Sequence, residues 1–451
     1  MADLHLSRAP TESQARDALA YVEQSLARCA EIPGPAARPR PVRQVGVIGA
    51  GTMGGGIAMA FSNAGFEVVL LDSTQEGLER GLQRIRDNFA FSQKRGKLTE
   101  PDVTVRLARI RGSLRYEDLA EADLIIEAVF EEMSLKQEVF RKMDAVAKPG
   151  AILATNTSGL DINEIARATR RPADVVGAHF FSPAHVQKLL EVVQTRDTAP
   201  DVIATMMSLG RPLEKYAILS QVYPGFIGNA LFRQYIREAH FLVEDGALPH
   251  QVDQTLEQFG YAMGVFRVHD MAGNDVGWQM RKALISTRPT DRRWNDLILV
   301  LCDNGRFGQK SGKGWYRYEP GDRTAHRDAE LEQFVVDYSR QLGIERRAIN
   351  AEEILERCLL SMVNEGARLL EQGIALRPSD IDVAFLTGYG FPRERGGPMY
   401  MADRIGLDRI HAAVCEYHAQ HGYWWEPAPL LRQLAAAKES FTAWAQKHRP
   451  H

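Results

Sequence analysis

The chain has 451 residues, 45% apolar and 25% charged, the make-up of an ordinary globular protein with room for about three domains. Lys plus Arg (55) nearly balances Asp plus Glu (58), a formal net charge of −3. This excludes a nucleic-acid binder built on bulk positive charge and a disordered acidic tail, and no apolar run reaches the roughly 18 residues of a membrane span.

In chain order, Thr11-Glu12-Ser13-Gln14 has the spacing of a helix capping box. Behind it Leu19, Val22, Leu26 and Cys29 recur at steps of three and four, one apolar stripe of a helix. Pro33, Pro35, Pro39 and Pro41 then end that helix and favour an extended linker. Residues 1–42 therefore read as an amphipathic helix and a proline-rich linker, with the stripe docked on a later domain. The start of the chain lacks the uninterrupted apolar core of a signal peptide. Cys29, Cys302, Cys358 and Cys415 are scattered and form no CxxC pair, so neither a disulfide framework nor a metal site is expected. Together these features predict a cytoplasmic enzyme with no membrane or nucleic-acid partner.

At residue 43 the pattern changes. Gln44-Val45-Gly46-Val47-Ile48 reads as a buried strand, Gly49-Ala50-Gly51-Thr52-Met53-Gly54 as a glycine turn and Ile57 to Ala64 as a helix. Phe66 to Leu71 reads as a second strand that ends on Asp72. Gly49 allows the tight turn, Gly51 lets the backbone approach a pyrophosphate, and Gly54 lets the helix pack close to the strand. The loop Gly49, Gly51, Thr52, Met53 and Gly54 thus opens a helix whose N–H groups and dipole favour phosphate. Asp72, about twenty residues past the middle glycine, is placed to accept from both ribose hydroxyls. Its charge would repel a 2′-phosphate, which favours NAD over NADP. A plain glycine-rich turn is the alternative; the ordered strand, helix, second strand and terminal acid count against it.

The alternation continues with strands at Ala122–Val129, Ala151–Asn156, Val175–Phe181 and Leu189–Val193, and a helix over Lys136–Ala147. Repeated βα units with near-continuous apolar strands predict an α/β, Rossmann-like, doubly wound and mostly parallel sheet over residues 43–222. Ligands of such sheets sit at the carboxyl ends of the strands, where Glu131, Asn156, Ser158 and His179 cluster. His179 follows an apolar run, where a neutral imidazole can act as general base. Glu191 lies inside an otherwise apolar strand, and a buried carboxylate needs a partner such as that imidazole. A purely structural His–Glu hydrogen bond fits the spacing equally well.

From residue 223 the chain turns helical and repeats itself. Phe241 to Ala247, Val252-Asp253 and Phe259-Gly260-Tyr261 are echoed by Leu369 to Ala375, Ile381-Asp382 and Gly388 to Pro392. Each copy reads as a long helix ending at a glycine, then a shorter helix starting near Asp. The copies span residues 223–318 and 346–451, joined by a connector at 319–345 that carries a helix over Asp328–Leu342. Two unrelated helical hairpins of similar composition are the alternative.

Several of these stretches carry a family resemblance. Gly177-Ala178-His179-Phe180-Phe181-Ser182-Pro183 with Leu190-Glu191-Val192-Val193 closely resembles the signature of L-3-hydroxyacyl-CoA dehydrogenases. Thr155-Asn156-Thr157-Ser158, Pro224 to Asn229 and Gly308 to Tyr316 resemble other motifs of that family, in family order. The resemblance implies a catalytic His179–Glu191 dyad, with Ser158 and Asn229 holding the substrate oxygen and the dyad. It implies cofactor contacts from Glu131, Lys136, Asn156, Ser158, Ser182 and Lys310, and an (S)-3-hydroxyacyl-CoA substrate. Ser182 departs from the family's Asn, so nicotinamide positioning there would fall to water or a neighbour. Lys94 and Arg95 match CoA-phosphate positions loosely, with a solvated helix end as the alternative.

By the same resemblance, the two helical copies follow the multifunctional β-oxidation enzymes, in which the second takes the dimer partner's place. That arrangement lets the chain be monomeric, and association with a thiolase is an analogy to the family only. Residues 1–42 resemble the linker that follows a hydratase module there. No hydratase fits in them, so a stand-alone dehydrogenase and a fragment of a bifunctional polypeptide are both open. A non-catalytic NAD- or CoA-binding scaffold is the other reading, against which the chain retains both His179 and Glu191. A dehydrogenase of the 6-phosphogluconate type would need a lysine base that this pattern does not supply.

Overall fold

The computed structural model describes residues 4–32 and 37–448, so Pro33 and Pro35 of the expected linker lie outside the described residues. The chain divides into two compact units. One is Tyr21–Asn229 with Gln372–Tyr389 and Ala445–His451; the other is Met1–Ala20 with Ala230–Glu371 and Gly390–Trp444.

The first unit is built on one eight-stranded sheet. Its strands are β1 Gln44–Ile48, β2 Glu67–Leu71, β3 Ile110–Ser113, β4 Leu124–Glu127, β5 Ile152–Thr155, β6 Val175–Phe180, β7 Leu189–Gln194 and β8 Tyr216–Gln221. They lie in the order β3-β2-β1-β4-β5-β6-β7-β8. Every neighbouring pair is parallel except β6 and β7. Side chains along each strand alternate between two cores, as the pleat requires. Val45, Val47, Leu124 and Ile126 pack with the helices Thr52–Asn63, Gln75–Lys94 and Pro200–Ser208 on one face. Ile48, Ile125 and Leu153 pack with Met133–Val146 and Ile162–Ala166 on the other. This is the doubly wound α/β architecture, followed along the chain by helices.

The sheet is mostly parallel, as expected, with β7 reversed against β6 and β8 keeping the new direction. Two details differ from the sequence reading. Strands β3 and β8 were not expected: β3 carries Arg111 and Gly112, so no apolar run marks it. The stripe on the helix Glu12–Arg28 is also turned: Ala18, Val22, Leu26 and Cys29 are buried, whereas Leu19 is 39% exposed. The expected cap is in place, with Thr11 N–H donating to Gln14 Oε1 (2.9 Å) and Gln14 N–H to Thr11 Oγ1 (3.3 Å).

The segment Gln372–Tyr389 belongs to the sheet unit although it comes late in the chain. Gln221 N–H donates to the Ile374 carbonyl (3.1 Å), and Ala375 bridges to Ser220 at the end of β8. The helix Pro378–Gly388 then packs on β7 and β8. At its foot Arg377 donates to the carbonyls of Arg28 (3.2 Å) and Cys29 (3.0 Å), and the Tyr21 hydroxyl donates to Asp382 (2.7 Å).

The second unit is helical. A long helix followed by a shorter one that opens on proline occurs twice in the chain: Gly228–Asp245 then Pro249–Phe259, and Ala351–Glu371 then Pro378–Gly388. Within the helical unit Arg357 is fully buried, its guanidinium shared by Glu238 (3.0 Å) and Asp245 (2.7 Å). The Gly308–Tyr316 stretch folds onto a buried carboxylate: Asp270 accepts from the backbone N–H groups of Trp315 and Tyr316, both at 2.9 Å. The helix after it, Ala329–Gln341, is capped by Asp328, which accepts from Glu330 N–H.

Candidate active site

The antiparallel pairing of β6 and β7 makes His179 and Glu191 direct partners across the two strands. Their side chains therefore stand on one face, and His179 Nδ1 lies 2.6 Å from Glu191 Oε2. Glu191 is fully buried, and its second oxygen accepts from the backbone N–H groups of Ile227 (3.2 Å) and Gly228 (2.8 Å). Those groups open the helix Gly228–Asp245, so its positive end also faces the carboxylate. Donors on both oxygens offset the cost of burying the charge. With Nδ1–H donating to Glu191, the lone pair of the neutral imidazole is on Nε2.

Local strain shapes this arrangement. Gly225 (φ 82°) and Phe226 (φ 53°) are both in the left-handed region, which costs a non-glycine residue about 1 kcal/mol. The turn they make delivers the two N–H groups to Glu191 and sets the Phe226 ring edge-on to His179 at 5.7 Å. The Phe181 ring also packs on the imidazole, tilted at 4.4 Å.

The glycine turn has the shape a dinucleotide needs. Gly49 sits at φ +99°, and a Cβ there would be 2.7 Å from the Ala128 carbonyl oxygen. A Cβ on Gly54 would be 1.7 Å from the Gly49 carbonyl oxygen, whereas one on Gly51 would meet nothing within 4 Å. Gly51 thus borders open space at the start of the helix Thr52–Asn63, opened by Thr52 and Met53 with no side chain capping it. Asp72 accepts from Ala50 N–H (2.8 Å) and Thr74 N–H (3.2 Å), which fixes its carboxylate beside the turn. The chain therefore fits NAD: a bare helix end for phosphate and an oriented acid for the ribose.

A second polar cluster lies at the ends of β4 and β5. Glu131 accepts from Thr157 Oγ1 (2.7 Å), Ser158 N–H (2.8 Å) and Ser158 Oγ (3.0 Å). Burial pushes the Glu131 carboxyl up, but the Thr157 hydroxyl, the Lys136 charge and the Ser158 donors outweigh it and hold it below the ordinary value. Lys136 is buried, its ammonium 2.7 Å from Glu127 and 3.4 Å from Glu131. Its charge thereby steadies Glu131, the neighbouring residue that the family resemblance also places at the cofactor. Asn156 accepts from Phe180 N–H through its side-chain oxygen (2.9 Å), tying β5 to β6 beside the dyad. Asn229 donates its amide to the Ser158 carbonyl (3.5 Å), which brings Ser158, Asn229 and the dyad into one neighbourhood.

Of the other expected residues, Ser182 is exposed just after β6. Lys94 ends the helix Gln75–Lys94, and the Arg95 guanidinium rests on the Phe91 ring at 4.6 Å, the arrangement of a solvated helix end. Lys310 belongs to the helical unit, where its ammonium pairs with Asp275 (2.6 Å). Residues not expected from the sequence are Glu127 and Thr157, which complete the Lys136 and Glu131 network, and Tyr389, whose hydroxyl donates to Asn229 Oδ1 (2.8 Å). Glu127 could have been suspected as an acid within an apolar strand; nothing in the sequence marks Tyr389.

A nucleotide-binding turn at the end of β1, an acid at the end of β2 and a histidine–carboxylate pair across the sheet's reversal define an NAD-dependent α/β dehydrogenase. Comparison with known proteins narrows the class. The NAD-binding domain of 3-hydroxyacyl-CoA dehydrogenase matches residues 44–222, and that enzyme's C-terminal domain matches twice, at 225–318 and 354–446. The chain belongs to the 3-hydroxyacyl-CoA dehydrogenase family. It is 44% identical over 414 residues to the peroxisomal bifunctional enzyme of Homo sapiens and 43% identical over 416 residues to that of Danio rerio. These alignments cover 89% and 88% of this chain, and the chain spans 57% of either relative. Among solved structures, it is similar to 3-hydroxybutyryl-CoA dehydrogenase from Escherichia coli (TM-score 0.77, 27% identity, 88% of this chain and 99% of that one). It also resembles the dehydrogenase part of multifunctional enzyme 1 from C. elegans (TM-score 0.67, 29% identity, 95% of this chain and 98% of that one).

The comparison corrects one expectation. Relatives bear peroxisomal and glyoxysomal names, which overturns the cytoplasmic placement drawn from composition. Scattered thiols and the lack of an apolar span do not distinguish one compartment from another, because import is directed by short receptor-read signals.

Proposed function

We propose that the chain oxidises (S)-3-hydroxyacyl-CoA to 3-ketoacyl-CoA, reversibly, with His179 as general base. The observation that carries this reading is the His179–Glu191 pair, in which Nδ1 is held at 2.6 Å and Nε2 is left to accept a proton. Bound NAD supplies the hydride acceptor. The chain supplies the rest. His179 Nε2 takes the proton of the substrate's 3-hydroxyl, and Glu191 stabilises the imidazolium that results. The Asn229 amide and Ser158 Oγ, the latter turning away from Glu131, donate to the substrate oxygen, where charge changes during the reaction. The glycine turn and Asp72 orient the cofactor, and Phe181 and Phe226 fix the plane of the imidazole.

The same reading parses the chain as a linker helix (1–42), an NAD-binding domain (43–222), a helical domain (223–318), a connector (319–345) and a second copy of the helical domain (346–451). In this reading the second copy stands in for a dimer partner, and light scattering is expected to find a monomer. The 57% of its relatives' length that the chain spans corresponds, in this reading, to their dehydrogenase portion. Mixing the protein with NADH and acetoacetyl-CoA and following absorbance at the nicotinamide band tests the reading. Turnover is expected. Bound NADH without turnover would leave only a nucleotide-binding scaffold.

A further inference from the structure

We propose that Tyr389, from the second helical copy, is a positioning residue of the active centre that sets which way the Asn229 amide faces. The inference rests on the function proposed above. Tyr389 belongs to the sheet unit, at the end of the helix that packs on β7 and β8. Its hydroxyl is 2.8 Å from Asn229 Oδ1, and the opposite end of that amide, Nδ2, faces the Ser158 carbonyl at 3.5 Å.

An asparagine amide can be turned over with little change in shape, so its hydrogen bonds decide which end is which. The Ser158 carbonyl can only accept, and its reach is long. The Tyr389 hydroxyl is closer, and by donating to Oδ1 it keeps the N–H end on the Ser158 side, where the substrate oxygen needs a donor. A turned amide would present a second acceptor to that oxygen.

The tyrosine is itself held in place. Its ring stacks on Phe385 (4.8 Å, 20°) and meets Phe181 edge-on (5.7 Å, 78°). Phe181 is the ring that packs on His179. Tyr389 also crosses the helix start that holds Glu191: a Cβ on Gly228 would be 2.7 Å from its ring and its hydroxyl. Glycine at 228 therefore serves two neighbours, donating its N–H to Glu191 and leaving room for Tyr389. The second copy thus reaches the chemistry through one side chain.

Tyr389→Phe tests this, because it removes the hydroxyl and keeps the ring packing. With acetoacetyl-CoA and NADH, kcat should fall about three- to tenfold, the worth of one neutral hydrogen bond, while KM for NADH and the melting temperature stay unchanged. In an Asn229→Ala background the same substitution should have no further effect, since the amide it orients is gone. A Tyr389→Phe enzyme with wild-type kcat, or one that loses the same factor in the Asn229→Ala background, would overturn the proposal. Absence of turnover in the wild-type protein would instead overturn the function on which it rests.

Discussion

Glu191→Gln isolates the part of the dyad that is electrostatic from the part that is shape. Glutamine has the same size, but one end of its amide accepts and the other donates. Facing the Ile227 and Gly228 N–H groups, the donating end would oppose two fixed donors. Facing His179, it opposes one ring nitrogen whose proton can move. The side chain should therefore turn its oxygen to the helix and its NH2 to Nδ1. His179 must then accept at Nδ1 and carry its proton on Nε2, the atom that should take the substrate's proton. Loss of the productive tautomer in a Ser-His-Asp triad lowers kcat by about four orders of magnitude, and a loss of about 10² to 10⁴ is expected here. Folding should suffer by only about 1.5–3 kcal/mol, the worth of one charge-assisted hydrogen bond. The assays are steady-state reduction of acetoacetyl-CoA, NADH titration by fluorescence, and a thermal melt. NADH affinity should stay within about twofold, since the pair lies apart from the glycine turn. A kcat within about tenfold of wild type would show that Glu191 does not set the tautomer. Retained folding with lost NADH affinity would show that the pair had been placed in the wrong site.

Four further outcomes follow from the same geometry. Gly51→Ala should fold like wild type, because its Cβ meets nothing within 4 Å, but should bind NADH more weakly by calorimetry; Gly54→Ala should lower the melting temperature, its Cβ falling 1.7 Å from a carbonyl oxygen. Lys136→Met strands the buried Glu127 carboxylate and should cost roughly 3–5 kcal/mol in urea unfolding, part of it recovered by adding Glu127→Gln. His240 is buried against His269 and Asn295, and burial lowers its pKa to about 4. A depressed folded value gives stability that is present above the unfolded value near 6.5 and is lost as pH falls towards 4. Melting temperature should drop over that window, and His240→Gln should flatten the fall; an unchanged slope would assign it to other groups.

The elements that were legible in the sequence are those whose constraint is local. Gly49 and Gly54 are dictated by backbone atoms a few residues away or on the next strand, so the turn announces itself in six residues. His179 and Glu191 were legible as a pair because each is a polar residue in an apolar strand. The direction of β7 was not, since alternation along a strand says nothing about which way its neighbour runs. Strand β3 was hidden by Arg111 and Gly112, and Leu19 was misplaced by one position because Ala18 and Leu19 both satisfy a helical step. The burial of Lys136 beside Glu127 was not legible, because an acid inside an apolar strand does not name its partner. Tyr389 lies 160 residues from Asn229, and no local pattern carries that contact.

Pairing through strand register has a consequence for how this centre can vary. Two residues facing each other on adjacent strands are matched by counting, and a slip of one position would send His179 to the opposite face of the sheet. The pair is therefore either intact or absent, with no gradual drift between. The connection from Pro183 to Lys188, which lies outside both strands and beyond the Phe181 ring on His179, is released from that requirement. Residues can be gained or lost there while the count within β6 and β7 holds, so this stretch is free to change length without breaking the His179–Glu191 pair.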